Sequence, residues 1–266
     1  WAFNAAKAGH AGTLDPMATG ILPIAMGEAT KVVSAAMDGK KAYRFTIHWG
    51  EERDTDDAEG QIVGESQDRP TPDQIKDTLP LFTGLTEQVP PIYSAIKVGG
   101  TRAYDLARSG DVPKLKARLI MIDELTLLTC PDTDHAVLEM ICGKGTYVRG
   151  VARDLGRHLG CLGHVSELRR VRVGPFDESV AFLLDKLEDM GHKGALDDLL
   201  LPVEAALADI PAVPVTGPEA DRLRFGQAIR VPHSAEGTIY ATADGRPVAL
   251  AKIRAGEVRP VRVFNL

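Results

Sequence analysis

The chain has 266 residues, 44% of them hydrophobic and 26% charged, which is too apolar for a disordered chain and long enough for one large domain with a satellite. At this size roughly 70 to 75% of the unfolded surface can be buried, so a core needs neither a disulfide framework nor a structural metal. The formal net charge of −6 argues on average against a polyanionic partner, but the charges are segregated along the chain, and the average hides basic stretches.

Cys130, Cys142 and Cys161 are odd in number and lack CxxC spacing, which predicts reduced thiols that fill the core of a cytoplasmic protein. No run approaches eighteen apolar residues, and Trp1-Ala2-Phe3-Asn4 has neither a basic n-region nor a cleavage pattern, so neither membrane spanning nor export is expected.

The first distinctive segment is Ala8 to Gly20, AGHAGTLDPMATG. Its three glycines predict a loop, and Pro16 keeps Asp15 out of helical geometry, so the loop can present a carboxylate rigidly. By itself an Asp-Pro pair is far more often a turn than a nucleophile. Gly27 to Lys31 lacks the GxxxxGK[ST] frame of a phosphate-binding loop. Tyr43, Phe45, Ile47 and Trp49 alternate with Ala42, Arg44, Thr46 and His48, which predicts a half-buried strand with Tyr43 on its apolar side. Asp54, Asp56 and Glu65 stand at positions 1, 3 and 12 of a calcium loop, but Ala58 and Glu59 occupy the fifth and sixth; the segment reads as an acidic turn. From Ile92 to Arg118, six Lys/Arg face two acids.

Ala136 to Cys142 forms a second strand-like run, closed by the turn Gly143-Lys144-Gly145. Beyond it Val148, Val151, Ala152, Leu155 and Leu159 recur at helical spacing, with Arg149, Arg153 and Arg157 on an adjoining face. This predicts a helix that packs on one side and is cationic on the other. Seven Lys/Arg face two acids between Ile141 and Val173, whereas nine acids face two lysines between Asp177 and Asp209. His158, Cys161 and His164 have no fourth partner at zinc-site spacing. Pro202, Pro211, Pro214 and Pro218 mark turns and place a boundary near Ile210. After it, the runs Ala228 to Val231, Thr238 to Thr242, Pro247 to Ile253 and Val261 to Phe264 predict a small β-barrel or sandwich. The interleaving of strands and helices is irregular, which predicts an α+β fold with a mixed, largely antiparallel sheet rather than a doubly wound one.

The whole pattern Gly9 to Lys31, GHAGTLDPMATGILPIAMGEATK, closely resembles the motif around the catalytic aspartate of the bacterial tRNA pseudouridine synthases of the TruB family. Further segments match in order. Lys41 to Phe45 is similar to the family's tyrosine strand, Pro90 to Lys97 to its substrate-gripping insertion, Gly145 to Arg149 with Ala152 to Gly156 to its third motif, and Leu168-Arg169-Arg170 to its fourth. Two departures stand out: nothing before Gly9 matches the family's Lys-Pro-x-Gly motif, and Arg53 stands where the family usually carries threonine.

The resemblance implies a pseudouridine synthase fold at residues 1–210, with an insertion at about 66–120 that grips the T-arm, and a PUA-like RNA-binding domain at 211–266 that binds the acceptor stem. It implies isomerisation of uridine 55 in the tRNA T-loop without metal or cofactor, by a monomer. Asp15 is then the nucleophile, attacking carbon 6 of the base or carbon 1′ of the ribose. Arg149 is its ion-pair partner, although a phosphate contact fits its helix face equally well. Tyr43 stacks on the flipped base and helps remove the proton from carbon 5, although a core tyrosine fits the same strand position. Tyr147 and Leu168 line the pocket, and His10 inserts into the T-loop. Lys97, Arg102, Arg108, Arg153 and Arg169 hold phosphates. Two other readings are a non-catalytic tRNA-binding or folding module and a guide-RNA-dependent synthase of the dyskerin type; the Pro90 to Arg118 insertion speaks against the latter.

Overall fold

The computed structural model of the chain describes residues 3–191, 196–232 and 236–266; Trp1, Ala2 and Lys193 of the stretches above lie outside them. The chain divides into two units. Leu14–Ile21 with Lys40–Arg172 form one, and Trp1–Thr13, Leu22–Gly39 and Val173–Leu266 the other. This is not the expected division at residue 210. Val32, Leu207, Leu250 and Phe264 are buried together in one apolar cluster, so residues 22–39 and the turn Val203–Leu207 pack with the C-terminal strands. The prolines mark turns inside that unit and not its edge.

The unit that carries Asp15 is built on a largely antiparallel sheet in the order Gly163–Val173, Lys41–Trp49, His135–Cys142, Arg118–Thr129, Gly84–Gln88. The predicted alternation holds: Phe45, Ile47 and Trp49 are fully buried while Arg44 is exposed. Across the ladder Tyr43 stands opposite Met140, Phe45 opposite Leu138 and Ile47 opposite Ala136, so one sheet face is continuously apolar. The helix Val148–His158 lays Val148, Val151, Ala152 and Leu155 onto that face, and each large side chain so buried contributes about 1.5–3 kcal/mol. Cys142 and Cys161 lie in the same core, where burial pushes both thiols up to about 11; they are inert filling.

Two glycines set the positions of the functional elements. The short strand Thr19–Gly20 runs parallel to Gly163–Val173, with Thr19 beside Arg169 and Gly20 beside Arg170. A Cβ at Gly20 would lie 2.1 Å from the Arg170 carbonyl oxygen, at a φ of +99°, so only glycine lets the loop after Asp15 dock here. Gly150 does the same for the helix start. Buried Gln88 donates from Nε2 to the Tyr147 carbonyl (3.0 Å) and accepts the Tyr147 N–H at Oε1 (2.9 Å), and a Cβ at Gly150 would come within 2.9 Å of that Nε2.

The C-terminal strands form a half-barrel in the order Ala212–Pro214, Gly237–Ala243, Arg246–Arg254, Glu257–Val263, Ile229–Arg230 around a core that includes Ile239, Val248, Ile253 and Val258. The helix Gly217–Arg224, which the proline-rich sequence masked, packs Ala220 and Leu223 into that core. Its start carries a capping box, Thr216 with Glu219, and Pro218 in the first turn. Among the described residues no helix is long and apolar enough to cross a membrane.

Candidate active site

Asp15 and Arg149, 134 positions apart in sequence, meet side on. Arg149 Nε donates to Asp15 Oδ2 at 2.8 Å and Nη2 to Oδ1 at 2.9 Å, the bidentate geometry that makes arginine–carboxylate pairs strong and directional. The remaining donors are also used: Nη1 reaches the Thr55 carbonyl (2.8 Å) and Asp57 Oδ2 (3.5 Å), and Nη2 the Tyr93 carbonyl (3.0 Å). Four N–H groups of Arg149 thus have acceptors, and Asp57 adds an ion pair. The arginine side chain is 5% exposed and that of Asp15 32%, so the guanidinium is fixed in the interior and the carboxylate faces outward on it.

The acidic turn that resembles a failed calcium loop proves to be the rear support of this pair. Asp57 is buried, accepts from Thr55 Oγ1 (2.6 Å) and the Glu59 N–H (3.1 Å), and faces Arg149. Asp56 adopts the left-handed region at φ +61°, uncommon for a non-glycine residue but tolerated by aspartate. Its carbonyl accepts the Val165 N–H (3.1 Å), pinning the turn to the sheet. Arg53, which stands where the family usually carries threonine, donates to the Ala58 and Gly60 carbonyls and so closes the turn that holds Arg149.

Arg153 departs from its expected role as a phosphate contact. It is 7% exposed and donates to Asp154 Oδ1 (2.8 Å), Asp56 Oδ2 (2.9 Å) and the Val89 carbonyl (2.8 Å), so its charge is buried and already paired with two acids. Only Arg157, bonded to both oxygens of Glu52, is exposed on this helix face. The expected cationic face is therefore an internal one, neutralised by acids drawn from residues 52–57.

Tyr43 lies where its phenol accepts a hydrogen bond from buried Arg170 and feels the charge of Asp15; burial pushes it up to about 12. Tyr147 is half-buried, also within electrostatic reach of Asp15 and Arg149, and its phenol is raised by burial. Leu168 is buried in the core, and its carbonyl accepts from Thr19 Oγ1 at 3.4 Å. The same hydroxyl accepts from exposed Arg169. Lys97 and Arg102 are exposed on the hairpin 97–102 and Arg108 at the end of the helix Ala103–Arg108, with the two guanidinium carbons 6.0 and 5.5 Å from the Tyr104 ring. His10 is exposed on the strand Ala8–His10, opposite Ile24.

Sequence reasoning missed Asp57, Asp56, Gln88 and Arg170. The acids gave a signal, a dense acidic turn in a chain whose basic helix lacked local partners; Gln88 gave none.

The site is thus a loop aspartate clamped by a helix arginine, with Tyr43 and Tyr147 within electrostatic reach of it. The fold matches that of a chain in a crystal structure of a Cbf5–Nop10–Gar1 complex with a TM-score of 0.75 at 24% identity, over 99% of this chain and 76% of that one. Residues 1–148 match the family model for the N-terminal domain of TruB family pseudouridylate synthases, and residues 149–208 that for the tRNA pseudouridylate synthase B C-terminal domain. The chain belongs to the TruB family. It is 57% identical to the tRNA pseudouridine synthase B of Rhodopseudomonas palustris, over 99% of this chain and 75% of that protein. The protein of the same name from Caulobacter vibrioides is 52% identical, over 100% and 89%. The likeness to the Cbf5 chain is one of fold alone, and the relatives in sequence support the tRNA enzyme over a guide-dependent one.

Proposed function

We propose that this protein isomerises uridine 55 in the T-loop of tRNA to pseudouridine, with Asp15 as nucleophile. The observation that carries the reading is the side-on Asp15–Arg149 pair, which leaves the carboxylate one-third exposed on an immobile guanidinium. The target base must leave its stack to reach it. A carboxylate oxygen bonds to carbon 6 of the uracil or carbon 1′ of the ribose, and the bond between N1 and carbon 1′ breaks. The base turns, carbon 5 bonds to carbon 1′, Asp15 is expelled, and the carbon 5 proton is lost while N1 gains one. Nothing is oxidised or reduced, so the reaction needs no redox cofactor.

Tyr43 is a neutral phenol at neutral pH, suited to stacking on the extruded base, an interaction worth about 1–3 kcal/mol. To accept the carbon 5 proton the phenol must first give up its own, and Arg170 beside it would stabilise that phenolate. Tyr147 and Leu168 line the pocket. Lys97, Arg102, Arg108 and Arg169 contact phosphates of the T-arm, His10 enters the T-loop, and residues 211–266 take the acceptor stem, all in a monomer. Arg149 is also held by the insertion, through the Tyr93 carbonyl, so gripping and chemistry share a root.

The test is Asp15→Asn on a T-arm hairpin, read by carbodiimide labelling of pseudouridine. The expected outcome is loss of isomerisation with RNA affinity unchanged within a few fold; retained turnover would remove Asp15 from the role of nucleophile.

A further inference from the structure

His164 has partners that its sequence neighbours His158 and Cys161 do not supply. His48 near the end of the strand Lys41–Trp49, Glu51 at the start of Glu51–Arg53 and His164 on Gly163–Val173 each offer a ligand atom, and the three atoms lie within 4.8 Å of one another. We propose that His48, Glu51 and His164 bind a divalent transition-metal ion, with Zn2+ the best match, through two imidazole nitrogens and one carboxylate oxygen, with water completing the shell.

Three observations point there. First, His48 Nδ1 is buried with no hydrogen-bond partner, a state that costs about 1–3 kcal/mol and that a metal ion would relieve. Second, His164 Nδ1 lies 3.1 Å from the Glu51 carbonyl oxygen. A carbonyl only accepts, so Nδ1 carries the proton and Nε2 keeps its lone pair; metal-binding histidines are oriented in this way by their other nitrogen. Third, the Glu51 carboxylate is itself held, by Arg53 Nε (3.2 Å) and Nη2 (2.8 Å), both on Oε2, which leaves Oε1 to act as ligand.

The ligand set suits a borderline metal. Two imidazoles and a carboxylate are found at zinc sites that keep an open position, whereas calcium and magnesium prefer oxygen alone. Tetrahedral ligands about 2.0–2.1 Å from zinc are about 3.4 Å apart, so closing the site needs side-chain shifts of about an ångström, which half-buried His48 and Glu51 can make while buried His164 stays fixed. His135, with its ring centroid 4.8 Å from that of His48, is held by Asp132 at 2.8 Å and flanks the site. A bound ion would tie three strands together directly before the turn 53–60, which supports Arg149.

Untagged protein titrated with Zn2+ in a calorimeter, and with Co2+ followed by its visible absorption, tests the assignment. The wild-type chain is expected to bind one equivalent of each, with the intense Co2+ bands of four- or five-coordination. His48→Ala and Glu51→Gln are each expected to weaken binding at least tenfold, and His158→Gln to leave it unchanged. Zn2+ should raise the unfolding temperature of the wild type and not of His48→Ala. Glu51→Gln preserves shape, so its loss of binding with an unaltered metal-free unfolding temperature separates ligation from misfolding. Absence of stoichiometric binding by the wild type, or undiminished binding in either variant, would overturn the site.

Discussion

The helix Val148–His158 and the insertion around residues 97–108 carry similar charge in the sequence and opposite exposure to solvent in the fold. Arg149 and Arg153 are nearly inaccessible and paired with acids, whereas Lys97, Arg102 and Arg108 are exposed. The difference lies in where the acids are. Asp15, Asp56 and Asp57 come to the helix from distant parts of the chain, while the described insertion residues bring no comparable set to their own cations. Counting lysines and arginines therefore locates basic segments but does not say which can meet a phosphate.

Removing a buried cation should do the most damage. Arg153→Met leaves Asp56 without its partner inside the protein and should cost about 3–5 kcal/mol in denaturant unfolding; a change in RNA affinity at unaltered stability would restore Arg153 to the phosphate contacts. The acid on the other side of that pair gives a signature in pH. Burial pushes Asp56 up to about 6, against the pull of Arg153, Arg149 and Arg157 and with Asp154 adding to it. The folded chain therefore holds this proton where the unfolded chain has released it. Its contribution to stability is full below about pH 4 and is lost as pH rises toward about 6, by ~3 kcal/mol in total. The wild-type minus Asp56→Asn difference in unfolding free energy should fall across that window, and a difference that rises would show the ion pair outweighing burial.

Salt distinguishes the exposed cations from the buried ones. Replacing both Arg102 and Arg108 by Ala should leave stability within about 0.5 kcal/mol and weaken RNA binding, with the slope of log K against log salt reduced by about 0.7–0.9 for each phosphate no longer neutralised. An unchanged slope would place the insertion away from the RNA backbone. Arg157→Ala should do least: its pair with Glu52 is half-exposed, and its removal should cost about 0–1 kcal/mol in the same denaturant measurement.

The legible part of the site was the part carried by local pattern. Asp15 was visible in a glycine- and proline-fixed loop, Tyr43 in a period-two strand, and Arg149 in a helix repeat, with the family resemblance assigning their roles. Asp57 and Asp56 were visible only as an acidic turn, because an aspartate that closes a loop and one that braces an arginine across the fold look alike in one dimension. Gln88 left no trace, since its partner is the backbone of Tyr147 and any local pattern is silent on that. The half-barrel strands were legible from their glycine spacing, but the unit they belong to was not, because Val32 and Leu207 join them through packing over long sequence separations.

The order of residues along the chain was enough for the elements, the succession of motifs and the membership of the TruB family, since periodicity, turn chemistry and motif order are properties of neighbouring residues. Which charges stay hydrated, which acids brace the reactive pair and which histidines meet emerged only from the packed chain. Those outcomes depend on distances between residues a hundred positions apart, and the energy of a charge is set by what folding places within a few ångström of it.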